Sequence, residues 1–294
     1  MNRATLFAST LAAIFLAHQA PASALVPHKP RCVADASQFA SISPGSAGLP
    51  TVIPGENDDF ANENLALIFW CTSAVANGNF PDAENACGRA IDFNPENPAP
   101  YKLRGTAYLF ERRYCDASLD FSRAAKLDPD DPENHGRYAE ALRGLGNYRD
   151  ATKELSVALK LAPNDARMWN ARCWTRGIFA RGLQAGLSDC NTALRLEAND
   201  PDVLSARGFI YLRMGKLGAA LHDFGAALHE QPDLALAFYG RGIARLKRGE
   251  WKRGRGDVLH ARAIDPAIDR LFVWRPLLSK RSLAGEQLHS ERYL

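Results

Sequence analysis

The residues in this chain of 294 most able to do chemistry are its six cysteines, Cys32, Cys71, Cys87, Cys115, Cys173 and Cys190. Four of them form two pairs of nearly equal spacing, 16 residues from Cys71 to Cys87 and 17 from Cys173 to Cys190. Thiols placed this way can exchange electrons, hold a metal or close disulfides. A reactive redox cysteine usually sits close to its partner or at a helix start in an electropositive setting. A structural zinc site needs four ligands, and the seven histidines, His18, His28, His135, His222, His229, His260 and His289, show no metal spacing. His222 and His229 share a helix face but lack a third ligand. The glycines of "RGEWKRGRGD" lie at a helix turn, and no phosphate loop follows a strand. No metal, cofactor or catalytic set is therefore expected. An even cysteine count in an exported chain points to disulfides.

Export is read from residues 1–24. Arg3 gives a positive start, "ATLFASTLAAIFLA" an apolar core, and Ala22-Ser23-Ala24 a small-x-small cleavage pattern. That core falls short of the roughly 20 residues of a membrane span, and no later segment approaches it. Cys32 follows "PHKPR" rather than the small residues of a lipoprotein site. The expectation is a soluble mature protein without stable membrane insertion, in the periplasm or, alternatively, secreted. A formal net charge of +3 calls for neither nucleic acid nor a membrane surface.

The elements that position the cysteines emerge from the prolines. Pro95, Pro129, Pro163, Pro232 and Pro266 stand 34, 34, 69 and 34 residues apart, the long step being two periods plus one residue, with Ala198 at the missing proline. Counting that proline as position 32 gives six units: 64–97, 98–131, 132–165, 166–200, 201–234 and 235–268. Position 27 is then Ala90, Ala124, Ala158, Ala193, Ala227 and Ala261. Position 20 is Ala83, Ala117, Ala151, Gly186, Ala220 and Gly254, and a turn glycine recurs at Gly78, Gly146, Gly215 and Gly249. Small residues at fixed columns permit close helix approach, and apolar positions at three- and four-residue spacing mark amphipathic helices.

These columns resemble the tetratricopeptide repeat, a helix-turn-helix unit of about 34 residues with a proline after its second helix. The resemblance implies an all-α, right-handed superhelical solenoid in which each hairpin buries its apolar face on its neighbours. Residues 1–24 are then a signal peptide, 25–63 a flexible lead-in, 64–268 the six repeats, and 269–294 a capping segment, beginning in "AIDRLFVW", with a basic tail.

Within this register Cys71 and Cys173 occupy position 8, and Cys87 and Cys190 position 24. Elsewhere position 8 is small (Gly105, Ala139, Gly208, Gly242) and position 24 large and apolar (Phe121, Leu155, Phe224, Val258). Cysteine occurs at both positions or at neither, as a disulfide across the two helices requires. The expected pairs are Cys71–Cys87 and Cys173–Cys190, with Cys32 and Cys115 left to pair or to remain free.

Arginine at position 7 follows a similar rule. Arg104, Arg172, Arg207 and Arg241 occur in the four repeats with aspartate at position 23, namely Asp120, Asp189, Asp223 and Asp257. A guanidinium can sit between two helices when a carboxylate meets its fork, so four internal ion pairs are expected. The alternative is a row of arginines that binds anions. The spacing of 17 in the fourth repeat places its extra residue in the turn near Phe179 to Gly182.

In the family the first helix of each repeat lines a concave groove at positions 2, 5, 9 and 12 and their neighbours. Carried over column by column, the resemblance implies Lys102, Thr106, Arg137, Glu140, Arg143, Arg167, Asn170, Trp174, Phe209 and Tyr239 as groove residues, with Ser205 and Ile243 in the same columns. Trp174, Phe209 and Tyr239 are read either as aromatic anchors for an extended peptide or partner helix, or as rings packed on the next helix. The family's carboxylate clamp is not complete, because Thr106, Arg137 and Ala171 stand where it needs other residues. The leading reading is a non-catalytic scaffold of the cell envelope that binds a peptide or protein of unknown identity. Two others stay open: an exported enzyme or carrier whose lead-in covers the groove, and a structural subunit of an envelope assembly.

Overall fold

The computed structural model describes residues 59–179 and 182–271. The segments read as signal peptide, most of the lead-in and the basic tail lie outside the described residues. Within them the fold is a series of helical hairpins. The first two join α1 (Asp59–Ala76) to α2 (Phe80–Phe93) and α3 (Pro98–Phe110) to α4 (Tyr114–Leu127). The next two join α5 (Pro132–Gly144) to α6 (Tyr148–Leu161) and α7 (Ala166–Phe179) to α8 (Leu183–Leu196). The last two join α9 (Pro201–Arg213) to α10 (Leu217–Glu230) and α11 (Ala235–Lys247) to α12 (Trp251–Ile264), and a 3₁₀ turn follows at Ile268–Leu271. α1 starts at Asp59, ahead of residue 64 where the repeat columns begin.

Helix starts and turns follow from local chemistry. Pro98, Pro132 and Pro201 open α3, α5 and α9, where a missing N–H is harmless, and the caps Asn97, Asp131 and Asp200 accept from main-chain N–H groups two or three residues on. Gly78, Gly146, Gly215 and Gly249 take the left-handed conformation, with φ of 69°, 70°, 75° and 84°. In the second hairpin the same turn is made by Arg112 at φ 59°, which bears a steric penalty that glycine avoids. Where Ala198 replaces the proline, Asn199 adopts φ 64°, so that link turns differently from the others.

The link of the fourth repeat, where its extra residue is expected near Phe179 to Gly182, lies partly outside the described residues. α7 has 14 residues where α3, α5, α9 and α11 each have 13.

Columns 8 and 24 form the contact inside each hairpin. Phe224 is fully buried and seated over Gly208 and Gly240, where an added Cβ would lie 2.8 Å and 2.3 Å from its ring. In the first and fourth hairpins the contact is covalent: Cys71–Cys87 and Cys173–Cys190 are disulfides, with Cα atoms 5.0 Å and 5.3 Å apart. Cys115 is also disulfide-bonded, and Cys32 lies outside the described residues. Packing continues between hairpins. The first helices touch one another from α1 to α3 and from α7 through α9 to α11, whereas no two second helices pack to a comparable extent among the described residues. The first helices thus form the inner layer. That layer is thinnest between α5 and α7, and there the surface opens.

Candidate functional site

The polar residues between the helices are held first by the arginine ladder. Arg104 donates from Nε and Nη2 to Asp120 at 2.8 Å each, and Arg241 to Asp257 at 2.8 Å and 2.9 Å. Arg172 reaches Asp189 at 3.1 Å and 2.8 Å, and Arg207 reaches Asp223 at 2.7 Å and 2.9 Å. Two of these guanidiniums also donate to the preceding hairpin, Arg172 to Ser156 Oγ at 3.1 Å and Arg207 to Asn191 Oδ1 at 2.9 Å. Arg176 and Arg245, one turn further along their helices, add a second donor to Asp189 and Asp257. These arginines are thereby satisfied within the fold. The third repeat, with Tyr138 at position 7, substitutes another device: His135 Nδ1 lies 2.8 Å from Glu154 Oε2 and Nε2 lies 3.1 Å from the Pro129 carbonyl.

The residues assigned to the groove fall into three groups. Lys102, Thr106 and Tyr239 are engaged internally. Lys102 Nζ lies 2.6 Å from Asp131 Oδ2, and Thr106 Oγ1 donates to the Lys102 carbonyl at 2.8 Å. Burial pushes the Asp131 carboxyl up, but the Lys102 ammonium and the Glu133 N–H outweigh it and hold the carboxyl below its usual range. Tyr239 donates to Asp269 of the 3₁₀ turn, and its hydroxyl is pushed up to about 12 by burial and by that carboxylate. Asp269 also accepts from Arg262 at 2.9 Å, so the segment after α12 is latched onto the last hairpin.

Phe209 is not a groove anchor. It is 5% exposed, with its ring between those of Trp174 and Phe224, at centroid distances of 5.5 Å and 5.0 Å. The reason is α11, which packs on α9 and covers that face. Ser205 and Ile243, from the same columns, are buried as well.

The remaining residues stay at the surface. Arg137 makes only solvated contacts, 3.3 Å to Glu140 and 3.6 Å to Glu133. Arg143, Arg167, Asn170 and Trp174 converge on a depression of about 240 Å³, completed by Ala171, Asp202, Ala206 and Leu236. It is built by α5, α7, α9 and α11, where the inner layer is thinnest. Trp174, Ala171, Ala206 and Leu236 are its apolar part. Arg167 stands at the rim, largely exposed and 3.0 Å from Asp165. Asn170 Oδ1 is buried without a hydrogen-bond partner. Burial of Asp202, with repulsion from Asp200, pushes its carboxyl up. Asp202 and Leu236 were open to sequence reasoning, since both occupy position 2 of their repeats. Ala206, at position 6, carries no signal beyond its place beside column 5.

Among the described residues no three His, Cys, Asp or Glu side chains gather as a metal site. No described helix is long and apolar enough to cross a membrane.

Two family models described as "Tetratricopeptide repeat" match the chain, one over residues 109–172 and the other over residues 72–132 and 206–267. Among solved structures it is similar to a tetratricopeptide repeat protein from Parabacteroides merdae, at 16% identity over 71% of this chain and 87% of that one, with a TM-score of 0.61. It is similar to PilW, a widely conserved type IV pilus biogenesis factor, at 14% identity over 74% of this chain and all of that one, with a TM-score of 0.61. It is also similar to pilF of Pseudomonas aeruginosa, at 13% identity over 74% and 100% of the two chains, with a TM-score of 0.58. At such identities the likeness is one of fold. No curated protein matches the chain.

Proposed function

The chain belongs to the tetratricopeptide repeat family, and from that premise we propose that it is a non-catalytic scaffold of the cell envelope that binds a peptide or partner protein on the inner face of its first helices. The observation that carries this reading is the depression between α5, α7, α9 and α11, which combines an apolar part at Trp174 and Leu236 with the unsatisfied acceptor of Asn170. Apolar surface with a few convergent polar groups is the composition of a recognition site. The arginine ladder is satisfied internally, which disfavours the row of anion-binding arginines. Export is supported by residues 1–24 and by the oxidised cysteines, because disulfides persist in oxidising compartments. Periplasmic residence follows in this account, with secretion as its alternative.

The test is chemical crosslinking in the source cell followed by purification. A polypeptide recovered with the wild-type protein should be lost or strongly reduced with Trp174→Ala and with Arg137→Ala. Recovery unchanged in both variants would show that the partner, if any, binds elsewhere.

A further inference from the structure

The formal charge of the chain is only +3, but it is unevenly placed. Residues 235–268 hold eight Lys and Arg against three Asp and Glu, an excess of five in one hairpin. All three acids are engaged within it. Asp257 takes Arg241 and Arg245, Glu250 takes Arg248, and Asp265 accepts the Ala267 N–H at 2.8 Å. Lys247, Lys252 and Arg255 are exposed and make no hydrogen bond or ion pair among the described residues. Trp251 and Leu259 stand beside them, 57% and 54% exposed. Trp251, Arg255 and Leu259 fall four residues apart and so form one stripe of α12. The repeat columns show why this stripe is bare. Position 17 elsewhere rests on the following hairpin: Phe80 stacks on Phe110 at 5.5 Å, and Tyr114 packs over Gly144. Position 28 is Ile91, Ala125, Leu159, Leu194 and Leu228 in the first five hairpins, and Leu159 and Leu228 are buried. On α12 these columns hold Trp251 and Arg262, the latter drawn off by Asp269, and no further hairpin follows among the described residues. An apolar partner laid here, whether a seventh hairpin or a second copy, would strand Arg255 away from water.

We infer that the outer face of α12 docks on an anionic phospholipid surface, with Lys247, Lys252 and Arg255 meeting lipid phosphates while Trp251 and Leu259 enter the headgroup layer. Such a layer sets phosphates directly above acyl carbons, so it satisfies the cations and the apolar residues of one stripe together. Tryptophan suits that depth because its ring is apolar and its N–H still reaches an acceptor. An acidic polypeptide would meet the cations alone. The contact is peripheral and reversible, since no described helix is long and apolar enough to cross a membrane. It is independent of the depression, which no residue of α12 lines.

The experiment sediments sucrose-loaded vesicles with the purified protein lacking residues 1–24, whose apolar run would itself adsorb to lipid. One set of vesicles mixes phosphatidylcholine with phosphatidylglycerol, and the other is phosphatidylcholine alone. The protein should pellet with the mixed vesicles and not with the neutral ones, and salt should release it. A cation at an anionic surface corresponds to roughly a fivefold gain in partitioning. Lys252→Glu combined with Arg255→Glu should therefore weaken binding at least about twentyfold, and Trp251→Ala should weaken it without any change of charge. Arg149→Glu combined with Lys160→Glu, two exposed positions on α6, makes the same change in net charge and should weaken binding far less. All of these side chains are exposed, so thermal midpoints should stay near that of the wild type. Failure to pellet with the mixed vesicles, equal binding to both lipids, or equal weakening by the α6 pair would overturn the inference. So would binding that appears only after residues 272–294 are removed, which would assign the face to the chain's own tail. Self-association without lipid that is lost in Trp251→Glu would assign it to a second copy. Binding that soluble polyglutamate displaces and Trp251→Ala leaves intact would assign it to an acidic polypeptide.

Discussion

Trp174 meets Phe209 edge-on, with ring centroids 5.5 Å apart and planes at 74°, and so joins the depression to the buried core. Phe209 passes that contact to Phe224, 5.0 Å away at 75°. The two rings occupy the same column of successive repeats but have different tasks. Phe209→Ala should lower unfolding free energy by about 3–5 kcal/mol, the range for a large buried aromatic. Trp174→Ala, at a half-buried position, should lower it by less while abolishing binding. Denaturant melts of both variants check the first contrast, and binding measurements the second.

Asp189 accepts from both Arg172 and Arg176 and is 3% exposed. Asp189→Asn should leave two guanidiniums short of a carboxylate at a cost of about 3–5 kcal/mol, as for other broken buried pairs. Asp150→Asn, which breaks the exposed pair with Lys153 at 2.8 Å, should shift stability by less than about 1 kcal/mol. Equal effects in equilibrium unfolding would contradict the buried ladder.

Arg112 makes a glycine's turn at φ 59°, and its exposed side chain makes no hydrogen bond or ion pair among the described residues. Arg112→Gly should stabilise the protein by about 0.5–1 kcal/mol, the left-handed penalty offset in part by the entropy of glycine in the unfolded chain. Gly146→Arg, the converse change at φ 70°, should destabilise by a similar amount in the same assay.

The disulfide Cys173–Cys190 spans 17 residues and Cys71–Cys87 spans 16. A loop of that size corresponds to about 3 kcal/mol in the chain-entropy model, so replacing either pair by alanine should lower stability by roughly that amount, plus the effect of lost sulfur packing. Thermal melts with and without reductant check it: reductant should lower the midpoint of the wild type and leave a chain lacking all six cysteines unaffected.

The fold was legible because six units in register repeat the same physical problem, so the alanine columns, the proline step and the cysteine and Arg–Asp pairs each signal one contact between two helices. What lay outside the columns was harder to read. The column places Phe209 on the same helix face as Trp174, but only the arrival of α11 determines that the former is covered. The pairing of Glu154 with His135 escaped notice because the substitute for arginine comes from three residues earlier, outside position 7. Arg143 lines the depression, but what surrounds it is a property of the space between helices that no column carries. Spacing locates the extra residue of the fourth repeat between two marks without saying whether the helix or the link absorbs it.

The central claim is that a polypeptide binds in the depression between α5, α7, α9 and α11. The most direct measurement places a photo-crosslinking residue at Leu236, on the depression, and in a second protein at Lys160, an exposed position on α6. After irradiation in the source cell, a discrete polypeptide should be attached through position 236 and not through position 160. The attachment should disappear when Arg143→Gln and Trp174→Leu are combined with the probe. Equal labelling from both positions, or none from position 236, would contradict the account.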